Sequence, residues 1–292
     1  MSAPALPDLA IPSQPGDTYA DFCLWEYEAF ADPAGRWRSE TILLYSFALE
    51  GVEAEGRALL DSMKRAFGPF RTVWGIKEFD GRTSWEFYFY DYGRIARDRS
   101  ASALLKALAP LHPCALTPPE DRPYFMFSIA FDAGQLRRRA PIGEIDFYIG
   151  NPGSTVSSGI CYVQDETGLR MKNVYFFFDT ATQREEAMRK LTTSAHYAEA
   201  QVWPAELAWP EMMRCKTVVV ANKARNDALY FSRVDTAQLL WFLARTGFRA
   251  DLREAIARNA ARFEHLCFDT GYDFVLSQGQ PRVAKASFYG YA

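Results

Sequence analysis

The sequence has few of the residues that build metal centres or disulfide frameworks. Only three histidines occur in 292 residues, and none stands in an H-E-x-x-H pattern or at Cys/His ligand spacing. The five cysteines are odd in number, widely spaced and without a C-x-x-C pair. We therefore expect no transition-metal site, and we expect reduced, mostly buried thiols.

Long apolar runs and early positive charges are also lacking. The longest nearly apolar stretch, residues 41–49, is far short of the ~20 residues that cross a bilayer. No Lys or Arg precedes Arg36, so the positive region of a secretory signal is missing. These absences predict a cytoplasmic protein with no membrane partner.

Charge of neither sign dominates, and the common nucleotide and hydrolase motifs are missing. Lys plus Arg number 33 against 36 for Asp plus Glu, a net charge of -3, so no global basic field would attract nucleic acid. The run Arg137-Arg138-Arg139 is then a solvated turn rather than a nucleic-acid patch. No G-x-x-x-x-G-K-[ST], G-x-G-x-x-G or G-x-S-x-G occurs, which argues against nucleotide loops and serine hydrolases.

Aromatic residues are the unusual component of this chain. They make up 15% of it, as 22 Phe, 15 Tyr and 7 Trp, and so many rings must line a core or a cavity. The hydrophobic fraction of 49% and charged fraction of 24% are those of an ordinary globular protein. We divide the chain into a Pro- and Ala-rich lead-in, residues 1–20, and a single domain, residues 21–292.

Short alternating segments recur in pairs, and several pairs are followed by a helical pattern. This order predicts ten to twelve strands in repeated β-β-α units. The predicted strand pairs are 22–30 with 37–47, 71–79 with 84–92, 124–131 with 144–149, 159–163 with 170–178, 215–221 with 228–233, and 266–276 with 282–289. The predicted helices are 53–67, 100–108, 180–191, 236–246 and 252–262.

Each predicted strand has one apolar face and one polar, aromatic face. In residues 85–90, for example, Trp85, Phe87 and Phe89 alternate with Glu86, Tyr88 and Tyr90. If helices cover the apolar faces, a closed antiparallel barrel gives the other faces a shared interior. The sequence thus predicts an α+β fold with a barrel of about ten strands, a solvent-filled lumen and helices outside. An α+β sandwich with one sheet face in solvent is the alternative.

The order of these repeats resembles the ABBA-type prenyltransferases, whose α-β-β-α units close into a ten-stranded antiparallel barrel. Within that family the segments are most similar to the bacterial cyanobactin-type peptide prenyltransferases. The resemblance rests on Asp21-Phe22-Cys23-Leu24-Trp25-Glu26, on residues 127–132 through Leu136-Arg137, and on residues 217–230, TVVVANKARNDALY. It implies transfer of an isoprenyl group, such as dimethylallyl or geranyl, from its diphosphate to a ribosomal peptide or small aromatic acceptor, with Mg²⁺.

A prenyl diphosphate ionises to an allylic cation, so such a site needs cations for the leaving anion, aromatic faces for the carbocation and a base. No Asp-Asp-x-x-Asp motif appears, which argues against the helical isoprenoid synthases. The resemblance places the base at Glu26, with Glu28 on the same predicted strand face. Either carboxylate alternatively forms only a salt bridge with a lumen arginine.

The resemblance places one diphosphate ligand at Arg38, on the second predicted strand. Further strand-borne cations are candidate diphosphate ligands: Lys77, Lys172, Lys216, Lys285 and Arg282. Tyrosines on the inferred lumen faces are candidates for the carbocation shield and acceptor pocket: Tyr88, Tyr148, Tyr162, Tyr175, Tyr230 and Tyr289. Each of these side chains alternatively serves only as a rim charge or as packing.

Asp146 departs from the family pattern. It aligns with a lysine that the peptide-prenylating relatives use for the diphosphate, and it is also the one candidate metal ligand. If the departure has removed the diphosphate site, the alternative function is a non-catalytic barrel that binds an apolar or aromatic ligand. An unrelated α+β structural or partner-binding protein is a third possibility.

Overall fold

The computed structural model describes residues 4–154, 157–194, 196–197, 203–278 and 280–292. Ten antiparallel strands close into a barrel in which each strand pairs with the next along the chain and β10 pairs with β1. The strands are β1 (Val73–Phe79), β2 (Arg82–Tyr90), β3 (Met126–Asp132), β4 (Ile145–Gly150), β5 (Ser158–Asp165), β6 (Gly168–Asp179), β7 (Thr217–Lys223), β8 (Asp227–Val234), β9 (Phe268–Ser277) and β10 (Gln280–Tyr291). The predicted α+β barrel of about ten strands is confirmed.

Among the described residues, eight α-helices surround the barrel. They are α1 (Glu40–Leu49), α2 (Glu53–Phe67), α3 (Ala101–Leu108), α4 (Ala133–Arg138), α5 (Arg184–Thr192), α6 (Pro204–Leu207), α7 (Thr236–Thr246) and α8 (Ala250–Arg258). The bounds of α7 match the prediction because both ends carry strong signals. The Asp235 side chain accepts a hydrogen bond from the Gln238 amide, and Gly247 ends the helix with φ 75°. None of the helices among the described residues has both the length and the hydrophobicity of a bilayer-spanning segment.

The first predicted strand pair is wrong. Residues 22–30 form a loop with one isolated bridge, Ala20 to Glu26, and most of residues 37–47 belong to α1. Helix α1 is buried on nearly every side, so its sequence ETILLYSFAL is apolar all round. A helix of that kind has no polar face and therefore shows no 3.6-residue periodicity. A short apolar run without that periodicity is equally typical of a buried strand.

The main hydrophobic core lies between the helices and the outer face of the barrel. Trp85 of β2 packs on Phe47 of α1 with ring centroids 4.8 Å apart, and its indole Nε1 donates to Ser46 Oγ at 2.8 Å. Phe89 packs on Phe67 of α2 at 5.4 Å. Each such side chain contributes about 1.5–3 kcal/mol on burial. The alternation of residues 85–90 therefore predicts the two faces of β2 correctly, and Glu86, Tyr88 and Tyr90 point into the lumen.

The two ends of the barrel differ. One end, which we call the hairpin end, carries the tight β1–β2, β5–β6, β7–β8 and β9–β10 turns. At the other end, which we call the lead-in end, the chain segment before α1 lies against the barrel. All five cysteines are free thiols, and four of them are buried, as the sequence predicted.

Candidate functional site

A layer of tyrosine side chains lines the middle of the lumen. Each comes from an even-numbered strand, and neighbouring ring centroids lie between 5.8 and 6.4 Å apart. Inward-pointing side chains of alternate strands form such layers in closed barrels. Burial raises the pKa of every one of these hydroxyls. We call these residues the tyrosine belt: Tyr88, Tyr148, Tyr175, Tyr230 and Tyr289.

Glycines on odd-numbered strands make room for the belt. Three belt tyrosines lie directly opposite a glycine, in the pairs Gly75–Tyr289, Gly159–Tyr175 and Gly271–Tyr230. A Cβ at Gly75 would lie 2.6 Å from Cε1 of Tyr289, and a Cβ at Gly271 would overlap the ring of Tyr230. At these two positions the sequence therefore sets the tyrosine rings flat against the neighbouring strand.

Four lysines lie on the hairpin side of the belt. Two of them contact it, since Lys77 Nζ lies 5.9 Å from the Tyr88 ring centroid and Lys223 Nζ lies 5.6 Å from that of Tyr230. Lys223 Nζ also donates to the Tyr230 hydroxyl at 3.1 Å. We call these residues the lysine layer: Lys77, Lys172, Lys223 and Lys285.

Every lysine of this layer has a carboxylate partner. Lys77 pairs with Glu86, and Lys172 Nζ donates to both oxygens of Asp146 at 2.8 and 2.9 Å. Lys172 also pairs with a second carboxylate, that of Glu144. Asp273 receives two bonds from Lys223 at 2.8 Å and one ion pair from Lys285 at 3.2 Å. The four lysines thus face four carboxylates: Glu86, Glu144, Asp146 and Asp273.

Burial and charge shift the pKa values of this network in opposite directions. Burial, followed by repulsion from Lys285 and Lys223, holds the pKa of Lys77 well below its usual range. Burial alone would raise the pKa of Asp273, but Lys223 and Lys285 outweigh it and lower that pKa to about 2. Burial raises the pKa of Asp146 despite its bond to Lys172. Glu86, the partner of Lys77, also accepts a bond from Ser128 Oγ at 2.5 Å.

A loop that directly follows the lead-in closes around the opposite side of the belt. The Asp21 carboxylate accepts bonds from the amides of Cys23 and Trp25, both at 3.0 Å, and this makes a tight turn. Arg233 Nε donates to Asp21 at 3.0 Å, and its backbone amide donates to Asp269 at 2.9 Å. We call residues 21–23 the lead-in loop.

A cavity lies between the tyrosine belt and the lead-in loop. Its volume is about 70 Å³ when measured at the centres of water-sized spheres. Apart from the belt, its walls are mostly aromatic and aliphatic, with one carboxyl group, Asp269. Burial and then the neighbouring Asp21 hold the pKa of Asp269 well above its usual range. The lumen therefore has a charged part at the hairpin end and an apolar part toward the lead-in end.

Five of the six predicted tyrosines lie in the belt, and Tyr162 does not. Tyr162 of β5 lies opposite Phe147, which belongs to the outer core, so its side chain is on the outer face. The pairing of β5 with β6 shifts between Cys161 and Tyr162, and Lys172 is the extra residue of that bulge. The bulge changes the inward side of β6 only. Strand β5 pairs with β4 without a shift, and Tyr162 points outward because it alternates with Cys161, the direct partner of Tyr148.

Three of the six predicted diphosphate cations lie in the lysine layer: Lys77, Lys172 and Lys285. The other three lie elsewhere. Lys216 is exposed at the lead-in end and pairs with Asp179, and Arg282 is exposed at a cleft on the outside of the barrel. Arg38 precedes α1 and makes a bidentate ion pair with Asp17 at 2.6 and 2.8 Å. Its predicted strand does not exist.

The two carboxylates predicted as bases also lie outside the lumen. Glu26 and Glu28 are exposed residues of the segment between the lead-in and α1, and Arg233 binds the backbone carbonyl of Glu26 rather than its side chain. The carboxylates inside the lumen are Glu86, Asp146, Asp269 and Asp273. Asp146, the candidate metal ligand, is instead bound by Lys172 through both oxygens.

Sequence reasoning missed Lys223 and Asp273, although a signal for both exists. The predicted turn at residues 225–227 fixes the hairpin register and places Val219 opposite Tyr230. Residues 219, 221 and 223 then share the face of Tyr230, whereas Lys216 does not. Asp273 shares a face with Gly271, the partner of Tyr230 on β9.

The residues present do not by themselves form a magnesium site. Among the described ranges, no three His, Cys, Asp or Glu side chains lie where they could hold a metal ion together. The oxygens of Asp146 and Asp273 already accept bonds from lysines.

Searches of protein-family models and of curated proteins returned no match for this chain.

Proposed function

We propose that the protein is a prenyltransferase, which transfers an isoprenyl group from its diphosphate to an electron-rich group of a peptide or small aromatic acceptor. The observation that carries this proposal is the contact between the lysine layer and the tyrosine belt. A leaving diphosphate and an allylic cation need a cationic surface and aromatic faces within a few ångströms of each other. The lysine ammonium groups at Lys77 and Lys223 lie within 6 Å of belt rings.

In the proposed reaction the bond between C1 of the isoprenyl group and the diphosphate oxygen breaks, and the electron pair leaves with the diphosphate. Lysines of the layer hold that anion, and the belt rings stabilise the allylic cation and exclude water. The acceptor donates an electron pair to C1, and its proton passes to Glu86. In this proposal the base is Glu86 and not Glu26, because Glu86 is buried beside the belt and shares a hydrogen-bonding network with Lys77 and Ser128.

The test is calorimetric titration of dimethylallyl diphosphate into the wild-type protein and two variants. In Lys77→Met/Glu86→Gln the buried pair is replaced without leaving a lone charge. Lys216→Met is the matched control, because it removes an exposed lysine outside the lumen. We expect micromolar binding that the double substitution weakens by at least about tenfold, equal to 1.4 kcal/mol, and that the control leaves unchanged. Equal binding by both variants would overturn the proposal.

A second function, a non-catalytic barrel that binds an apolar or aromatic ligand, is favoured by one observation. Every lysine of the layer is already paired with a carboxylate, so an incoming diphosphate must compete for those lysines. Binding of isoprenoid alcohols without binding of the matching diphosphates would favour this second function. Mass-spectrometric detection of a prenylated peptide would favour the first.

A further inference from the structure

The lead-in loop closes the apolar end of the lumen. Phe22 of this loop lines the cavity, and its ring stacks on Phe177 of β6 with centroids 6.2 Å apart and planes 10° from parallel. The carbonyl of Cys23 accepts a bond from the Tyr92 hydroxyl at 2.9 Å. Because Phe22 belongs to a loop and not to a strand, this wall can move without breaking any strand pairing of the barrel.

The chain is anchored where the loop begins and ends. Ala20 and Glu26 form an isolated bridge, so the two ends of the intervening segment lie close together. Directly after the bridge, the Tyr27 hydroxyl accepts a bond from the Cys267 amide at 2.7 Å. Compact loops with neighbouring ends often carry function, and such segments can open locally. The residues between the bridge partners can therefore move as a unit while the flanking chain stays in place.

Arg233 of β8 holds the loop in its closed position. Its Nε donates to the Asp21 carboxylate at 3.0 Å. Its Nη2 donates to the carbonyls of Trp25 and Glu26 at 3.2 and 3.0 Å. Because one guanidinium makes all three bonds, its removal releases the loop at several points at once.

The closed position carries backbone strain and charge repulsion. Arg233 lies at a bulge of β8 and has φ 58°, and Leu24, which follows the loop, has φ 57°. Residues other than glycine rarely adopt this left-handed region, and such strain is concentrated at sites that switch conformation. Closure also places the Asp21 carboxylate near Asp269, and this repulsion adds to burial in raising the pKa of Asp269. Opening relieves both costs.

The route into the cavity from the hairpin end is charged. A ligand that enters there must pass the lysine layer and its four carboxylate partners before it reaches the belt. A neutral apolar molecule gains no polar partner on that path and displaces groups that are paired or hydrated. The lead-in end presents aromatic rings instead, those of Phe22, Phe125 and Phe177. The two ends of the lumen therefore suit ligands of different chemistry.

We propose that the lead-in loop is a gate, held closed by Arg233, through which neutral aromatic or apolar molecules enter and leave the lumen. The gate goes beyond the proposed function, since it applies equally to a prenyl acceptor and to the ligand of a non-catalytic barrel. Arg233 acts through the loop and lies outside the cavity lining, so it is a positioning residue. When it is removed, entry and release should become faster by the same factor, because both cross the same gate.

The experiment measures how fast fluorobenzene, a neutral aromatic probe, enters and leaves the full-length protein. Fluorine NMR saturation transfer gives the dissociation rate constant, a titration gives Kd, and their ratio gives the association rate constant. The gate variant is Asp21→Asn/Arg233→Met, which removes both charges of the pair. The matched control is Asp17→Asn/Arg38→Met, because Arg38 pairs with Asp17 outside the loop and is 25% exposed, against 22% for Arg233.

We expect the gate variant to raise both rate constants by at least about tenfold and to change Kd by less than about threefold. The control should keep the wild-type rates. Arg233→Lys, which keeps the charge and loses the forked guanidinium, should give intermediate rates, and it serves as the test if the gate variant does not fold.

Three results would overturn the gate. The first is wild-type rates in the gate variant, which would mean that the probe passes elsewhere. The second is a weaker Kd with an unchanged association rate constant, which would mean that Arg233 only supports the cavity wall. The third is no binding of fluorobenzene by either protein, which would mean that the cavity takes no neutral aromatic ligand.

Discussion

The ring of Tyr230 lies against the backbone of Gly271, its direct partner on the neighbouring strand. This is the closest of the glycine–tyrosine contacts that form the belt. A methyl group at position 271 would overlap Cδ1 and Cε1 of the ring, and the ring is held in place by Lys223 on one side and Tyr289 on the other.

Gly271→Ala is therefore expected to lower the free energy of unfolding by about 1–3 kcal/mol, the usual cost of overpacking. Urea unfolding measures this change, and near-ultraviolet circular dichroism reports whether the tyrosines move. Gly159→Ala is the matched control, because its Cβ would meet Phe125 at an ordinary 3.5 Å. If both variants lost the same free energy of unfolding, the loss would come from replacing a strand glycine in general and not from the contact with Tyr230.

The buried pair of Lys77 and Glu86 gives a second prediction. Lys77→Met leaves the Glu86 carboxylate without its partner, so we expect a loss of about 3–5 kcal/mol in the free energy of unfolding. Adding Glu86→Gln should recover most of it, because the uncompensated charge is removed. The exposed Lys216 pairs with Asp179, and Lys216→Met should cost no more than about 1 kcal/mol. Failure of the second substitution to restore stability would contradict this account.

Arg233 gives a third prediction, on the lead-in loop. Arg233→Met removes the partner of Asp21 and the donors to the carbonyls of Trp25 and Glu26. The loop should then open more often and expose Cys23, which is buried and whose pKa is raised by that burial. Alkylation followed by peptide mass spectrometry should show faster modification of Cys23. Arg258→Met on the surface of α8 should leave the rate at the wild-type value.

His265 gives a prediction about pH. Its Nε2 bonds to Ser13 Oγ at 3.0 Å, and burial lowers its pKa from 6.5 to about 4. Between these values the unfolded chain binds the proton and the folded chain does not, so His265 makes stability fall as pH decreases from 6.5 to 4. The contribution is at most about 3 kcal/mol. Urea unfolding of wild type and His265→Gln at pH 7, 5.5 and 4.5 should show a shallower decline in the variant.

The sequence was sufficient to predict the barrel and most of the belt because strands such as β2 alternate strictly. Trp85, Phe87 and Phe89 face the helices, whereas Glu86 and Tyr88 face the lumen. Such alternation follows from the two-residue period of a strand and needs no tertiary information.

The remaining errors have two physical causes. Helix α1 is apolar on all sides because other elements cover it, and that covering is a tertiary property. Tyr162 points outward because it alternates with Cys161, the direct partner of Tyr148, and the inward face of β5 is set by that register with β4, which is a tertiary property. The resemblance puts Glu26, Glu28 and Arg38 on the first predicted strand pair, and because that pair does not form, none of the three lies in the lumen.

During folding, the lumen is enclosed only once β1 has paired with β10. Val73 pairs with Tyr291, so the first and last strands of the barrel become neighbours only after all the residues between them have been synthesised. Pairings of such high sequence separation form slowly. The belt draws on strands from both halves of the chain, and a partly made protein therefore exposes unassembled tyrosines and lysines with no enclosed cavity. Under the proposed function, a bound isoprenoid should stabilise the closed barrel against opening at the β1–β10 seam, because it binds only the completed lumen.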